Sequence, residues 1–277
     1  MGGFVRVKTW VKSIPVLGPV ARKIWKIWNP PPPGRSSPQV QSPPSMGAAA
    51  SKLTSLKYDK AYYDEHVEGG LDYLGHGYWQ TSYGLMVSEA TLQRSYEAPF
   101  VIDAGCACGS ILQGFRRTGL YAGVLGIDLS EYMINLGREH FGYGDKELVA
   151  GSITAIPAPD NSVSLVHSAQ VLEHIPPEMT DAILQEFYRV LRPGGRAFLC
   201  LDAIRHGETK QMYTCDPTHC NIQPIGFWTE KMQNHGLLFD IEAYNHFVRS
   251  ERGPTEGLNQ SFFCHYPYWS VWTLIKT

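Results

Sequence analysis

Residues 101–110 read VIDAGCACGS, an apolar run that ends in an aspartate and passes into a loop of glycine, cysteine and alanine. The run predicts a buried strand over 99–103. Gly105 and Gly109 then predict a turn that opens a helix, which aims backbone N–H groups and a helix N-terminus at whatever lies beyond the strand. A triphosphate loop closes on a lysine (G-x-x-x-x-G-K), and none stands between Gly105 and Ser110. A dinucleotide loop carries a third glycine, and here Asp103 would set a negative charge against a pyrophosphate. The same carboxylate favours a ligand that is cationic and free of phosphate.

Working outward, strands are expected at 122–128, 147–151, 162–168, 196–202, 237–246 and 264–275, with helices between most of them. This alternation predicts an α/β fold, a Rossmann-like, doubly wound, seven-stranded sheet that is mostly parallel. No clear helix separates the last strand from its predecessor, so that strand is expected to be antiparallel. Over 177–191, Ile183, Phe187, Val190 and Leu184, Tyr188, Leu191 line one helical face until Pro193, Gly194 and Gly195 stop it. Ahead of the sheet, YDKAYYDEH and LMVSEATLQRSY predict a helical prelude starting near Tyr58.

A second carboxylate, Asp128 in GIDLS, stands 23 residues after Gly105 at the end of the next strand, where it suits the vicinal hydroxyls of a ribose. Ser130 is placed to cap the helix that follows. S-adenosylmethionine has a ribose, a sulfonium and an ammonium group, and no phosphate. From about residue 99 to 202 the chain resembles the class I S-adenosylmethionine-dependent methyltransferases, through DAGCACG, GIDLS, GSITAIPAPDNSVSLVHSAQVLEHI and RVLRPGGRAFL in that order. The resemblance implies that Asp103, Gly105, Cys106 and Gly109 frame the cofactor loop and that Asp128 takes the ribose. It implies further that Leu129 and Ile153 sandwich the adenine, that Ala169 meets it through its backbone, and that Ser152 reaches its amine. Two positions depart from the family pattern: Ala107 replaces a third glycine, at a cost if its φ is positive, and Ser152 replaces an aspartate.

Methyl transfer from an activated sulfonium needs alignment, and a base only where the acceptor must lose a proton. His219, in MYTCDPTHCNIQPIGFW, is the candidate base, with Asp216 to orient it or bind a metal; its ordinary alternative is a loop histidine bonded to a carbonyl. His174, in VLEHI, either shapes the cofactor pocket or serves as the base. Tyr73, Tyr78 and Trp79 close over the cofactor, pack an acceptor or belong to the core. The Asp/Asn-Pro-Pro-aromatic signature of the base and amide N-methyltransferases of this fold is replaced by HSAQ, so nucleic acid is not expected as a partner. The expected reaction is O-methylation of a sugar hydroxyl on a small molecule or glycan. The alternatives are N- or C-methylation of a small metabolite and a non-catalytic S-adenosylmethionine-binding regulator, the latter motivated by Ala107 and Ser152.

With 43% hydrophobic residues the 277-residue chain has material for a sizeable core. Its net charge of -2 hides an asymmetry: residues 1–58 hold nine Lys or Arg and no acid, leaving 15 basic against 26 acidic residues in the remainder. Residues 1–28 read as a basic amphipathic leader, whose segment 5–28 is a candidate for peripheral contact with an anionic membrane face, and 29–57 as a Pro/Ser-rich linker. The methyltransferase-like domain is expected over 58–277, in the cytoplasm or at the inner membrane face. Cys106, Cys108, Cys200, Cys215, Cys220 and Cys264 form no regular framework and are expected to be reduced. No metal is expected, although Cys215, His219 and Cys220 lie close together in sequence.

Overall fold

The computed structural model describes residues 58–68, 73–74, 79–92, 97–213, 216–250 and 269–277. The leader 1–28, the linker 29–57, Tyr78, Cys215, Cys264 and the first part of the last expected strand lie outside them. Helices α1 (Lys60–Glu68) and α2 (Trp79–Thr91) precede the sheet. There follow β1 (Phe100–Ala104), α3 (Ser110–Thr118), β2 (Gly123–Asp128), α4 (Glu131–Phe141), β3 (Leu148–Ala150) and β4 (Val163–Ala169). The chain continues through α5 (Thr180–Val190), β5 (Leu191–Ile204), β6 (Gln223–Pro224), α6 (Ile225–Asn234), β7 (Leu237–Phe239), α7 (Ile241–Val248) and β8 (Trp269–Lys276).

The strand order is β3-β2-β1-β4-β5-β8-β7, with the two-residue β6 beside β5. β3, β2, β1, β4 and β5 run parallel, and β8 is antiparallel to both of its neighbours, as expected. β1 is buried at every residue, Asp103 included, which is why Phe100, Val101 and Ile102 are apolar in succession rather than in alternation: helices cover both faces of a parallel sheet. Ser130 caps α4 by accepting from the Met133 N–H. On α5, Ile183, Leu184, Phe187 and Val190 make the buried face.

Two elements differ from expectation. The strand expected over 237–246 ends at Phe239, because the Asp240 side chain accepts from the Ala243 N–H and starts α7, which buries Ala243 and Phe247. A helix therefore does lie between the last two strands. β5 begins at Leu191 rather than 196: Val163 pairs with Leu191 and Leu165 with Arg196, so Arg192–Gly195 bulge opposite Ser164. Gly194 takes a φ of 73° in that bulge, and a Cβ on Gly195 would lie 2.8 Å from the Arg192 carbonyl oxygen.

Candidate active site

Parallel strands deliver their carboxyl ends to one edge of the sheet, and the loops after β1, β2, β4 and β5 all open there. After β1 the chain turns at Gly105 (φ 80°), Ala107 (φ 48°) and Gly109 (φ 77°), the last of which caps α3. A Cβ on Gly105 would sit 2.3 Å from the Val171 side chain, so glycine is required there by space as well as by φ. Ala107 does occupy the left-handed region, so the departure from glycine carries the expected strain.

Asp128, at the end of β2, is buried, and its Oδ2 and Oδ1 accept the N–H groups of Ala107 and Ser130, each at 2.8 Å. Each oxygen keeps a further lone pair, the requirement for receiving a pair of ribose hydroxyls. Burial raises its pKa above the ordinary carboxylate value, against the lowering effect of those N–H bonds. Asp103 lies beneath the loop: its Oδ1 is 2.7 Å from His167 Nδ1, His167 Nε2 is 2.7 Å from the Tyr83 hydroxyl, and its buried Oδ2 has no partner among the described residues. That unfilled acceptor, the turned-in Asp128 and the absence of a lysine from the loop fit a cationic nucleoside such as S-adenosylmethionine.

The remaining cofactor candidates are less uniform. Cys106 is buried, its sulfur standing where a Cβ on Gly126 would come within 2.8 Å, and burial drives its pKa well up; it acts as packing beneath the loop. Ile153 is 6% exposed and packed in the core, while Leu129 is half-buried and the more open of the expected adenine pair. Ser152 Oγ accepts the Thr154 N–H at 3.2 Å and lies 2.7 Å from Thr154 Oγ1, so its hydroxyl is engaged within its own turn. Ala169 closes β4, paired with Cys200.

The loops after β4 and β5 bring His174 and His219 together, with ring centroids 4.6 Å apart and planes at 72°. His219 Nδ1 donates to the Tyr213 carbonyl at 2.9 Å, the carbonyl bond foreseen as its ordinary role. The carboxylate nearest that nitrogen is Asp202, with Oδ2 at 3.7 Å. Asp216, expected to orient His219, instead receives the Thr218 hydroxyl at 2.6 Å, and Thr218 Oγ1 lies 2.6 Å from His174 Nδ1. The hydroxyl spends its one hydrogen on Asp216, so His174 Nδ1 is the donor and both imidazoles are tied through Nδ1. The backbone N–H groups of Cys220 and Asn221 donate to the Glu173 carbonyl, which locks the two loops together. Burial, and then the charge of Asp202, push the Glu173 carboxyl well above the usual range.

Sequence reasoning missed Asp202, which reads as one more residue of a buried strand, and three tyrosines, Tyr58 just ahead of α1 and Tyr62 and Tyr63 on it. Tyr58 meets His174 edge-on at 6.2 Å, and Tyr58–Tyr62, Tyr62–Tyr63 and Tyr63–Tyr73 follow edge-to-face at 5.1, 5.0 and 5.3 Å. This row runs from the histidines to the cofactor loop, where Cys108 Sγ donates to the Tyr73 carbonyl. Burial raises the tyrosine pKa values, to about 12 for Tyr73, so their hydroxyls stay protonated. The i, i+4 spacing of Tyr58 and Tyr62 was the available signal.

A family model for a methyltransferase domain matches residues 101–195, which hold the cofactor loop, Asp128 and His174 but stop short of Asp202 and His219. The demethylmenaquinone methyltransferase of Listeria welshimeri is 35% identical over 116 residues, 40% of this chain and 48% of that one. The chain thus spans about half the length of the curated relatives it matches. Phosphoethanolamine N-methyltransferase 2 of Haemonchus contortus, solved with S-adenosylmethionine, superposes with a TM-score of 0.56 at 15% identity, covering 84% of this chain and 61% of that one. The cyclase SpnF superposes at 0.54 and 19% identity, over 87% and 99% of the two chains. The two structures share the fold and differ in their named chemistry. Residues 101–195, which carry the loop and Asp128, are thus similar to a methyltransferase domain, and the strand order described above is the fold that the solved methyltransferase structures share.

Proposed function

We propose that the protein transfers the methyl group of S-adenosylmethionine to a small-molecule acceptor at a hydroxyl oxygen, a sugar hydroxyl on a metabolite or glycan being the first class to test. The observation that carries this reading is the histidine pair beside the cofactor edge, each ring tied through Nδ1. The bound cofactor supplies a methyl group already activated on a sulfonium, so alignment and proton removal are what remain for the protein. His219 keeps a lone pair on Nε2 for the acceptor proton, and Asp202 behind Nδ1 favours the imidazolium that results. His174, backed by Thr218 and Asp216, is the second base. Asp128 holds the ribose, and the tyrosine row bounds the space between the two halves.

The test is turnover with carbon-13-labelled S-adenosylmethionine on panels of sugars, glycans, phenols and quinols, with the methyl located by NMR. The expected product carries it on oxygen, and His219→Gln lowers kcat by about 100-fold with S-adenosylhomocysteine affinity unchanged. A methyl on nitrogen or carbon overturns the O-methylation reading. The similarity to a menaquinone-pathway enzyme favours a second reading, C-methylation of a ring activated by deprotonating its hydroxyl, which the same spectrum identifies. Tight S-adenosylhomocysteine binding with no turnover on any panel would instead make this a non-catalytic binding protein. The basic segment 5–28 is proposed to bring the domain to an anionic membrane face on the cytoplasmic side, tested by sedimentation with anionic vesicles.

A further inference from the structure

We infer that Glu173, His174 and His219 form a site for one divalent first-row transition-metal ion. One carboxylate oxygen of Glu173 and one ring nitrogen of each histidine all lie within 4.8 Å of one another. Donors bonded to a common ion at about 2.1 Å stand roughly 3.4 Å apart in a tetrahedron, a closure that small side-chain rotations supply.

Two independent features point to a ligand. Glu173 is 0% exposed, its Oε1 accepts the Asp202 N–H at 3.4 Å, and its Oε2 has no hydrogen-bond partner among the described residues. A buried carboxylate oxygen without a partner is costly unless something is meant to meet it. The second feature is the orientation of the rings. A metal-binding imidazole characteristically gives its other N–H to a carbonyl, hydroxyl or carboxylate, which fixes its tautomer. Here His219 Nδ1 is on the Tyr213 carbonyl with Asp202 behind it, and His174 Nδ1 is on Thr218, itself bonded to Asp216. Both Nε2 atoms are thereby set as acceptors, the form an ion takes.

Two imidazoles and one carboxylate select zinc, cobalt, manganese or iron(II) over magnesium or calcium, and three protein ligands leave positions open. The inference deepens the proposed reading and rests on it for its consequence: an acceptor hydroxyl bound at an open position would lose its proton to solvent water more readily, leaving its oxygen to attack the methyl carbon. The histidines would then act as ligands in place of bases.

The experiment is titration of the chelator-stripped full chain with Co2+, read by visible ligand-field absorption, with S-adenosylhomocysteine affinity measured alongside. One Co2+ per chain is expected, displaced by Zn2+. Glu173→Gln and, separately, His219→Ala should each weaken Co2+ binding at least tenfold while keeping S-adenosylhomocysteine affinity. Cys220→Ala, which changes the exposed thiol beside the site, should leave the spectrum unaltered. A wild-type chain that takes up no stoichiometric Co2+, or a spectrum that survives both ligand substitutions, overturns the inference. Methyl transfer at full rate by a metal-free chain would overturn the ion's part in the reaction while leaving the proposed function standing. An intact Co2+ spectrum without S-adenosylhomocysteine binding would sink the proposed function and spare the ion site.

Discussion

Asp128 shows how one residue can serve the fold and, in the proposed reading, the cofactor as well. Its two backbone bonds tie the β1 loop to the start of α4, and its remaining lone pairs are the ones proposed to receive the ribose hydroxyls. Burial raises its pKa, so the folded protein favours the neutral form, and the stability contributed by that form is lost as pH rises through the folded value. Ribose binding needs the carboxylate, so S-adenosylhomocysteine affinity should fall as pH is lowered and begin to do so above the range of an ordinary aspartate. Calorimetric titration across pH checks this; an affinity that stays flat until the usual aspartate range would refute it. Ala107 supplies a second residue-scale outcome: at a φ of 48°, Ala107→Gly should raise stability by about 1 kcal/mol in urea unfolding. The loop glycines and Asp128 were legible because a tight turn and a strand-end carboxylate leave local marks. Asp202 and the Thr218–Asp216 link to His174 were not, since they arise where the end of β5 and two loops distant in sequence meet.

At the scale of elements, α1 matters more than its place before the sheet suggests. Tyr58, just ahead of the helix, packs edge-to-face on Tyr62, and the Tyr62 hydroxyl donates to Asp216 Oδ2 at 3.3 Å, joining the helix to the support of His174. Tyr62→Phe removes a bond worth about 1 kcal/mol and should raise the acceptor KM by about fivefold without altering S-adenosylhomocysteine affinity; an equal loss for both ligands would mean that the helix supports the fold rather than the acceptor side. Helix α5 was readable because its apolar positions repeat at helical spacing. LLFDIEAYNH (237–246) reads as one strand unless Asp240 is given weight: its cap bond separates three strand residues from a helix with Ala243 and Phe247 four apart. The bulge of β5 hid behind Pro193, Gly194 and Gly195, which mark a turn but do not say that the chain pairs on both sides of it.

The whole molecule depends on a strand that no local pattern places. Parallel pairing of β1 to β5 follows from the alternation of strands and helices, whereas the insertion of β8 between β5 and β7 is a long-range choice. Lys276, at the end of β8, shows how that choice is held. Its side chain is buried, and Nζ donates to Asn161 Oδ1, the Tyr188 carbonyl and the Leu191 carbonyl at 2.7, 2.7 and 2.8 Å, while lying 4.1 Å from the centre of the Tyr188 ring. The ammonium thus joins the last strand to the loop before β4, to the end of α5 and to the first residue of β5. The loop and α5 are also joined directly, by the Asn161 and Ser162 N–H groups on the Arg189 and Val190 carbonyls and by Arg189 on Asp160, so the ammonium adds the tie from these segments to β8. Lys276→Met keeps the packing stem and removes the charge, leaving two buried carbonyls and one amide oxygen without their donor. The substitution should cost about 3 kcal/mol in urea unfolding and speed hydrogen exchange in β7 and β8 before it affects β1 and β2. A loss under about 1 kcal/mol, the value of an exposed ion pair, would mean that water replaces the ammonium and that β8 is held by its pairing alone.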